Sequence, residues 1–255
     1  MRMLALPAAL LLSAALYTLV PGTKTWLNQR LYALPGTIEQ NIIKRHQTPD
    51  RISILFIYIA GLVIFPTLIG AIHPIATAIV MALLFTGFSP LPAAAKIKQE
   101  LDSGKYIKDI PEYERQVLAA CSPLGKAFAL EVAAPMLLCA LGMPMHLGCA
   151  LGWVYVGLRA AREAVPAADQ IVSPFERAGD GVTVFLFHLC AGLMGRNPLR
   201  IGGRGAGEKL MHILSLDGEI DHAPISGDIL QAMFLCCFSA ALLCGLLTAV
   251  GFMIL

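Results

Sequence analysis

Residues 229–255, ILQAMFLCCFSAALLCGLLTAVGFMIL, run for 27 positions without a charged side chain. An α-helix rises about 1.5 Å per residue, so this stretch can cross a hydrocarbon core of roughly 30 Å by itself. Backbone N–H and C=O groups find no water in lipid, and only helices and closed barrels satisfy them there. None of the apolar stretches alternates as barrel strands do, so helices are expected throughout. The expected fold is all-α: a polytopic integral membrane helical bundle with amphipathic interfacial helices, one membrane-embedded domain over 1–255.

Composition agrees with a bilayer environment, at 57% hydrophobic and only 14% charged residues. The formal net charge is +2, and the basic residues are spread over several connections, which argues against a nucleic-acid partner. Seven cysteines occur without C-x-x-C or His/Cys ligand spacing, and Cys139, Cys149, Cys190, Cys236, Cys237 and Cys244 lie in apolar surroundings. They read as small buried hydrophobes.

Six apolar segments are expected in the membrane region: 3–20, 52–72, 74–88, 132–158, 182–194 and 229–255. The first has the basic start and short apolar core of a signal peptide but no convincing small-residue cleavage site, and reads as an uncleaved signal anchor in preference to a signal peptide. The second and third form a helical hairpin broken at His73-Pro74, because the residue before a proline disfavours helical backbone. The segment 132–158 is interrupted by Gly142-Met143-Pro144, and is either a re-entrant pair or one kinked spanning helix. The stretch 182–194 is too short to span alone.

In the connection 21–51, Lys24, Arg30, Lys44, Arg45 and Arg51 outweigh Glu39 and Asp50, which places it on the cytoplasmic side of an inner (plasma) membrane. Residues 93–101 and 113–120 are helix-favouring and are expected to be interfacial.

Two polar concentrations could carry chemistry. One holds Arg159, Arg162, Glu163, Asp169, Glu176, Arg177 and Asp180, where carboxylates suit a divalent cation and arginines a phosphate, or the charges simply end helices and face water. Asp180 precedes the apolar run from Val182, so it reads either as that helix's N-cap or as a metal or phosphate contact. The other is GRNPLRIGGRGAGEK over 195–209, where Arg196, Arg200, Arg204 and Lys209 interleave with Gly202, Gly203 and other glycines. Glycine-freed backbone N–H groups and arginine forks suit an anion, and a basic juxtamembrane loop suits anionic lipid. The Walker pattern is not met, since Glu208 precedes Lys209 and Leu210 follows it. His188, inside an apolar run, reads as a satisfied buried imidazole or as a functional intramembrane group.

These residues, in this order, resemble the CobD/CbiB family of cobalamin-biosynthesis membrane proteins, within an AmpE-related superfamily. Residues 96–106, KIKQELDSGKY, are similar to the family's amphipathic segment. Residues 131–152 are similar to its hydrophobic block, through Ala134-Pro135 and Gly142-Met143-Pro144. Residues 176–188, ERAGDGVTVFLFH, resemble its ARxDDxxNxxPAR signature with Arg177, Ala178 and Asp180 kept; Gly179, Thr183, Leu186 and His188 depart from it. Arg200 to Gly203 resembles its RLGG element, and Asp228-Ile229 its DI segment. The acidic run the family carries before Ala134-Pro135 is reduced here to Glu131.

The resemblance implies an adenosylcobinamide-phosphate synthase-like activity, in which an aminopropanol moiety is joined by an amide to a corrinoid carboxylate with ATP and Mg2+. It implies Asp180, Glu131 and Arg177 as catalytic residues and Asp180, Glu131 and Glu176 as metal ligands. Phosphate or substrate contacts fall to Arg196, Arg200, Gly202, Gly203, Arg204 and Lys209. Its partners are the lipid bilayer, a corrinoid small molecule, and a companion corrinoid enzyme or a second copy of the chain. The altered signature equally fits a non-catalytic accessory or regulatory membrane protein on the same scaffold. A transporter is a third class, since broken helices occur at His73-Pro74 and Gly142-Pro144 but inverted repeats do not.

Overall fold

The computed structural model describes residues 4–20, 22–44, 51–85, 122–145, 147–193, 195, 204–215 and 226–254. Among them the regular elements are helices, with no strand: α1 (Ala5–Leu19), α2 (Thr23–Lys44), α3 (Arg51–Ile72), α4 (Pro74–Phe85), α5 (Ser122–Gly142), α6 (Ala150–Ala161), α7 (Ala167–Leu193), α8 (Ala206–Ser215) and α9 (Ser226–Ile254). Three of these contain stretches long and apolar enough to cross a membrane: Ile52–Ile72, Ser122–Gly142 and Gln231–Met253. Large apolar side chains stand exposed on them, among them Phe56, Phe65, Leu68, Phe234 and Phe252. Water would penalise so much outward apolar surface, whereas lipid does not. The chain is an all-α membrane protein.

By contact density the chain forms two compact units, one of residues Met1–Gly87, Ala134–Arg177 and Cys244–Leu255, the other of Phe88–Ala133 and Ala178–Leu243.

In the first unit α1 packs on α4, α3 on α4 and α6, and α2 on α3 and α6. The hairpin break falls where proline placed it, with α3 ending at Ile72 and α4 starting at Pro74. Proline suits a first helical position because its missing N–H has no intrahelical role there. His73 Nδ1 accepts the Ile75 N–H at 3.2 Å and satisfies one orphan donor. Thr77 Oγ1 donates to the Gly70 carbonyl at 3.3 Å, tying α4 back to α3.

The expected polar connection 21–51 is mostly the helix α2, which carries Pro35 in its interior. A proline cannot donate to the carbonyl four residues back, so Leu31 C=O loses its helical partner. The phenol of Tyr58 on α3 takes that place, at 3.1 Å from Leu31 O and 2.9 Å from Gly157 O. One hydroxyl proton is thereby shared between α2 and α6 at a buried junction.

The third apolar helix differs from the expected 132–158. It begins ten residues earlier, at Ser122, and ends at Gly142, while α6 follows as a separate element. Pro123 in its first turn costs nothing, and Gly142-Met143-Pro144 ends it. The turn closes tightly: Leu147 N–H donates to Gly142 O at 2.9 Å, Gly148 has φ +56°, and a Cβ on Gly142 would run into the Gly148 carbonyl. Inside α5 the register widens to a π-helix over Ala129–Ala133. The residue four before Pro135 is Glu131, whose carbonyl can receive no N–H from the proline, and a wider register is one way to accommodate that loss.

In the second unit Phe128 of α5 stacks on Phe187 of α7, with ring centroids 5.7 Å apart, and Cys190 Sγ lies 3.3 Å from Ser239 Oγ of α9. Of the cysteines named above, all but the exposed Cys237 are buried. The interfacial segments expected at 93–101 and 113–120 lie outside the described residues.

The Tyr58 bond makes a double-mutant prediction. Tyr58→Phe leaves Leu31 C=O buried and unpaired, at a cost of about 1–3 kcal/mol. Adding Pro35→Ala restores a helical donor and should return much of that loss, whereas equal losses in both backgrounds would refute the assignment. Thermal unfolding of detergent-solubilised protein measures both.

Candidate functional site

The polar residues of the second unit gather where α7, α8 and the start of α5 meet. From the sequence, Asp180 reads as the N-cap of the helix that holds the apolar run from Val182, or as a metal or phosphate contact. The structure corrects this: α7 runs unbroken from Ala167 to Leu193 and Asp180 sits in its middle. Flanking glycines lower helix propensity, but packing of an amphipathic face outweighs that. The buried Thr183 bonds back to the Gly179 carbonyl at 2.7 Å and keeps its hydroxyl satisfied.

Asp180 does cap a helix, though not its own. Its Oδ1 accepts the N–H of Ala206, the first residue of α8, at 2.9 Å. That amide is an orphan donor at the positive end of the helix dipole, so a carboxylate there is favoured twice. Gly205 O accepts the Lys209 N–H at 2.9 Å and opens the α8 ladder. Glu208 reaches back to accept the Arg204 N–H at 2.8 Å, a variant of the capping box.

Two glycines let the backbones of α5 and α8 meet. A Cβ on Gly125 would stand 2.6 Å from the Ala206 carbonyl oxygen, and one on Gly207 would stand 2.6 Å from that of Ser122. Neither position has room for alanine without backbone movement.

Eight residues along α7 from Asp180, His188 extends the same face by about two turns. Its Nδ1 is 3.2 Å from Val184 O and its Nε2 is 3.3 Å from Lys209 Nζ. Both ring nitrogens therefore meet polar partners, a carbonyl at Nδ1 and an amine at Nε2. Lys209 is only 4% exposed, and burial pushes its amine below the usual lysine range. This pairing was not legible in the chain, where His188 and Lys209 are 21 positions apart.

The remaining expected residues distribute as follows. Arg204 and Arg177 are exposed, and Glu131 is half-buried in the π segment. Glu176 belongs to the first unit, where its Oε1 is 2.6 Å from Arg162 Nη2 and 3.6 Å from Arg159 Nε. Asp169 lies 3.6 Å from Arg162 Nε. Arg196, Arg200, Gly202 and Gly203 lie outside the described residues. The structure thus brings Asp180 of α7 to the first residue of α8, the helix that carries Lys209.

Magnesium demands near-octahedral oxygen ligation. Among the described residues no group of three His, Cys, Asp or Glu is placed to hold a metal ion. Glu176 is committed to arginines and Asp180 to an amide. These described donors do not make a Mg2+ site by themselves. The chain matches no family model, no curated protein and no solved structure.

Two outcomes test this geometry. Asp180→Ala should remove the cap, costing about 1 kcal/mol and speeding hydrogen exchange of the first-turn amides of α8, while Asp180→Asn keeps an acceptor and most of the protection. Unchanged exchange in Asp180→Ala would show that the carboxylate does not hold α8. For Lys209, the folded-state pKa is depressed, so the unfolded chain binds more protons between that value and 10.5. Stability should therefore rise with pH across that window, and Lys209→Met should flatten the rise in a pH series of unfolding midpoints.

Proposed function

We propose that the chain is a membrane protein of cobalamin biosynthesis, similar to the CobD/CbiB family, that engages a corrinoid at the junction of α7 and α8. The activity proposed for it is amide ligation of an aminopropanol moiety to a corrinoid carboxylate, the adenosylcobinamide-phosphate synthase type of reaction. The supporting observation is a convergence. The segment resembling the family signature ends at His188 and the one resembling RLGG begins at Arg200, yet Asp180 of the first accepts the amide of Ala206, three residues past the second.

In this reading Asp180 is a positioning residue. Its carboxylate fixes the start of α8 and hence the exit of the basic segment, whose arginines offer bidentate grips for phosphate or carboxamide oxygens. Lys209, held beside His188, supplies a second positive group on the same helix. ATP and Mg2+ are the cofactors that the family resemblance implies for this class of ligation. The proposed setting is the inner membrane, with 21–51 cytoplasmic by its basic excess.

The accessory reading has its own support. The two acids of the signature region, Glu176 and Asp180, both serve structural partners, which is what a scaffold without catalysis would need.

One assay separates the two. Purified protein is supplied with adenosylcobyric acid, aminopropanol phosphate, ATP and Mg2+, and the amide product is followed by chromatography. Product formation that falls at least about ten-fold in Arg204→Gln supports the ligase, since a lost charge-assisted contact is worth roughly 1.5–3 kcal/mol. No product from folded protein that still binds the corrinoid leaves the accessory role.

A further inference from the structure

We infer that α2 is an interfacial helix whose outer face takes anionic phospholipid headgroups, independently of any corrinoid chemistry. At 22 residues it is long enough to cross a bilayer, yet it is not among the helices apolar enough to do so. It carries Lys24, Arg30 and Glu39 along with several amides. A helix of this kind, joined to apolar helices on both sides, has its lowest free energy in the plane of the headgroups.

Its faces agree. Leu27, Leu31 and Pro35, spaced by four, form the stripe that is buried within the first unit. The rest of the surface mixes polar groups with Trp26, Tyr32, Leu34 and Ile43, all exposed, and Trp26 is 56% accessible. An exposed tryptophan and tyrosine with apolar neighbours on a polar helix match the amphipathic anchors of a membrane–water boundary. The Arg30 guanidinium sits over the Trp26 ring, 5.7 Å from its centroid, which keeps a cation beside the anchoring indole.

Depth agrees as well. Leu31 is bonded to Tyr58, seven residues into α3. Along that helix this is about 10 Å from its first residue, the depth at which interfacial helices seat their apolar faces. Charge selects the lipid. From residue 24 to residue 51 the chain carries Lys24, Arg30, Lys44, Arg45 and Arg51 against Glu39 and Asp50. Each net basic residue near an anionic surface favours it by roughly five-fold at its upper limit.

The chain has two tryptophans, which makes a clean test. Trp153 is buried and its indole N–H has no hydrogen-bond partner, so Trp153→Phe removes no polar contact and isolates Trp26. The full-length variant is reconstituted into vesicles containing nitroxide-labelled or brominated phospholipid. Emission from Trp26 should be quenched at least about two-fold more by a label near the headgroup than by one near the chain end. Brominated phosphatidylglycerol should outperform brominated phosphatidylcholine at equal mole fraction, with the ratio falling to about one in a Lys24→Gln, Arg30→Gln background. Comparing ratios within one variant cancels the effect of Arg30 on the indole. Quenching by aqueous iodide alone, strongest quenching by the deepest label, or equal quenching by the two brominated lipids in the parent would each overturn the proposal. None of these outcomes depends on corrinoid binding, so failure here and failure of the ligase reading are separate results.

Discussion

A proline inside a helix strands the carbonyl four residues before it, and in a chain built for lipid that carbonyl has no water to accept from. Much of the structure can be understood as the response to this demand. Pro35 strands Leu31, and Tyr58 of α3 answers with its phenol, which also reaches Gly157 and so ties three helices together. Pro135 brings no N–H to the Glu131 carbonyl, and α5 passes through a π register at that point. Polar side chains on apolar helices follow the same economy over shorter range: Thr67 and Thr248 bond to carbonyls four residues back, and Ser13 to one three back.

The second unit shows what the same demand does to charged groups. A carboxylate in mid-helix is costly unless it meets a donor, and the nearest unspent donors in a helical protein are the first amides of another helix. Asp180 finds one at Ala206. Because Gly125 and Gly207 allow backbones to touch at the same place, the start of α8 is held from two directions. Position and charge are therefore coupled: the helix start that follows Arg204 depends on a bond made by α7.

The expectations drawn from the chain succeeded where apolar length and proline position decide the outcome. The all-α class, the apolar helix near the C-terminus and the break at His73-Pro74 follow from properties that neighbours cannot change. They failed where a weak local signal competes with packing. The apolar run from Val182 suggests a helix that starts at Asp180, but burial of one face carries α7 through that point. The helix ending at Gly142 starts at Ser122 because upstream residues with little apolar periodicity pack against α8 and α7. For the candidate site, the residue types were visible and their partners were not. Glu176 looks like a ligand until Arg162 and Arg159 are seen around it.

By itself the sequence determined the solvent: 57% hydrophobic residues and three long uncharged or nearly uncharged runs can be stabilised as helices in lipid, whatever their arrangement. Only the tertiary structure decided which polar group meets which, that Asp180 caps α8, that His188 Nε2 meets Lys209 Nζ, and that Tyr58 serves Leu31. Helix formation depends on residues three and four apart, which a chain displays directly. A hydrogen bond between helices depends on register and rotation, set by the packing of every side chain between them.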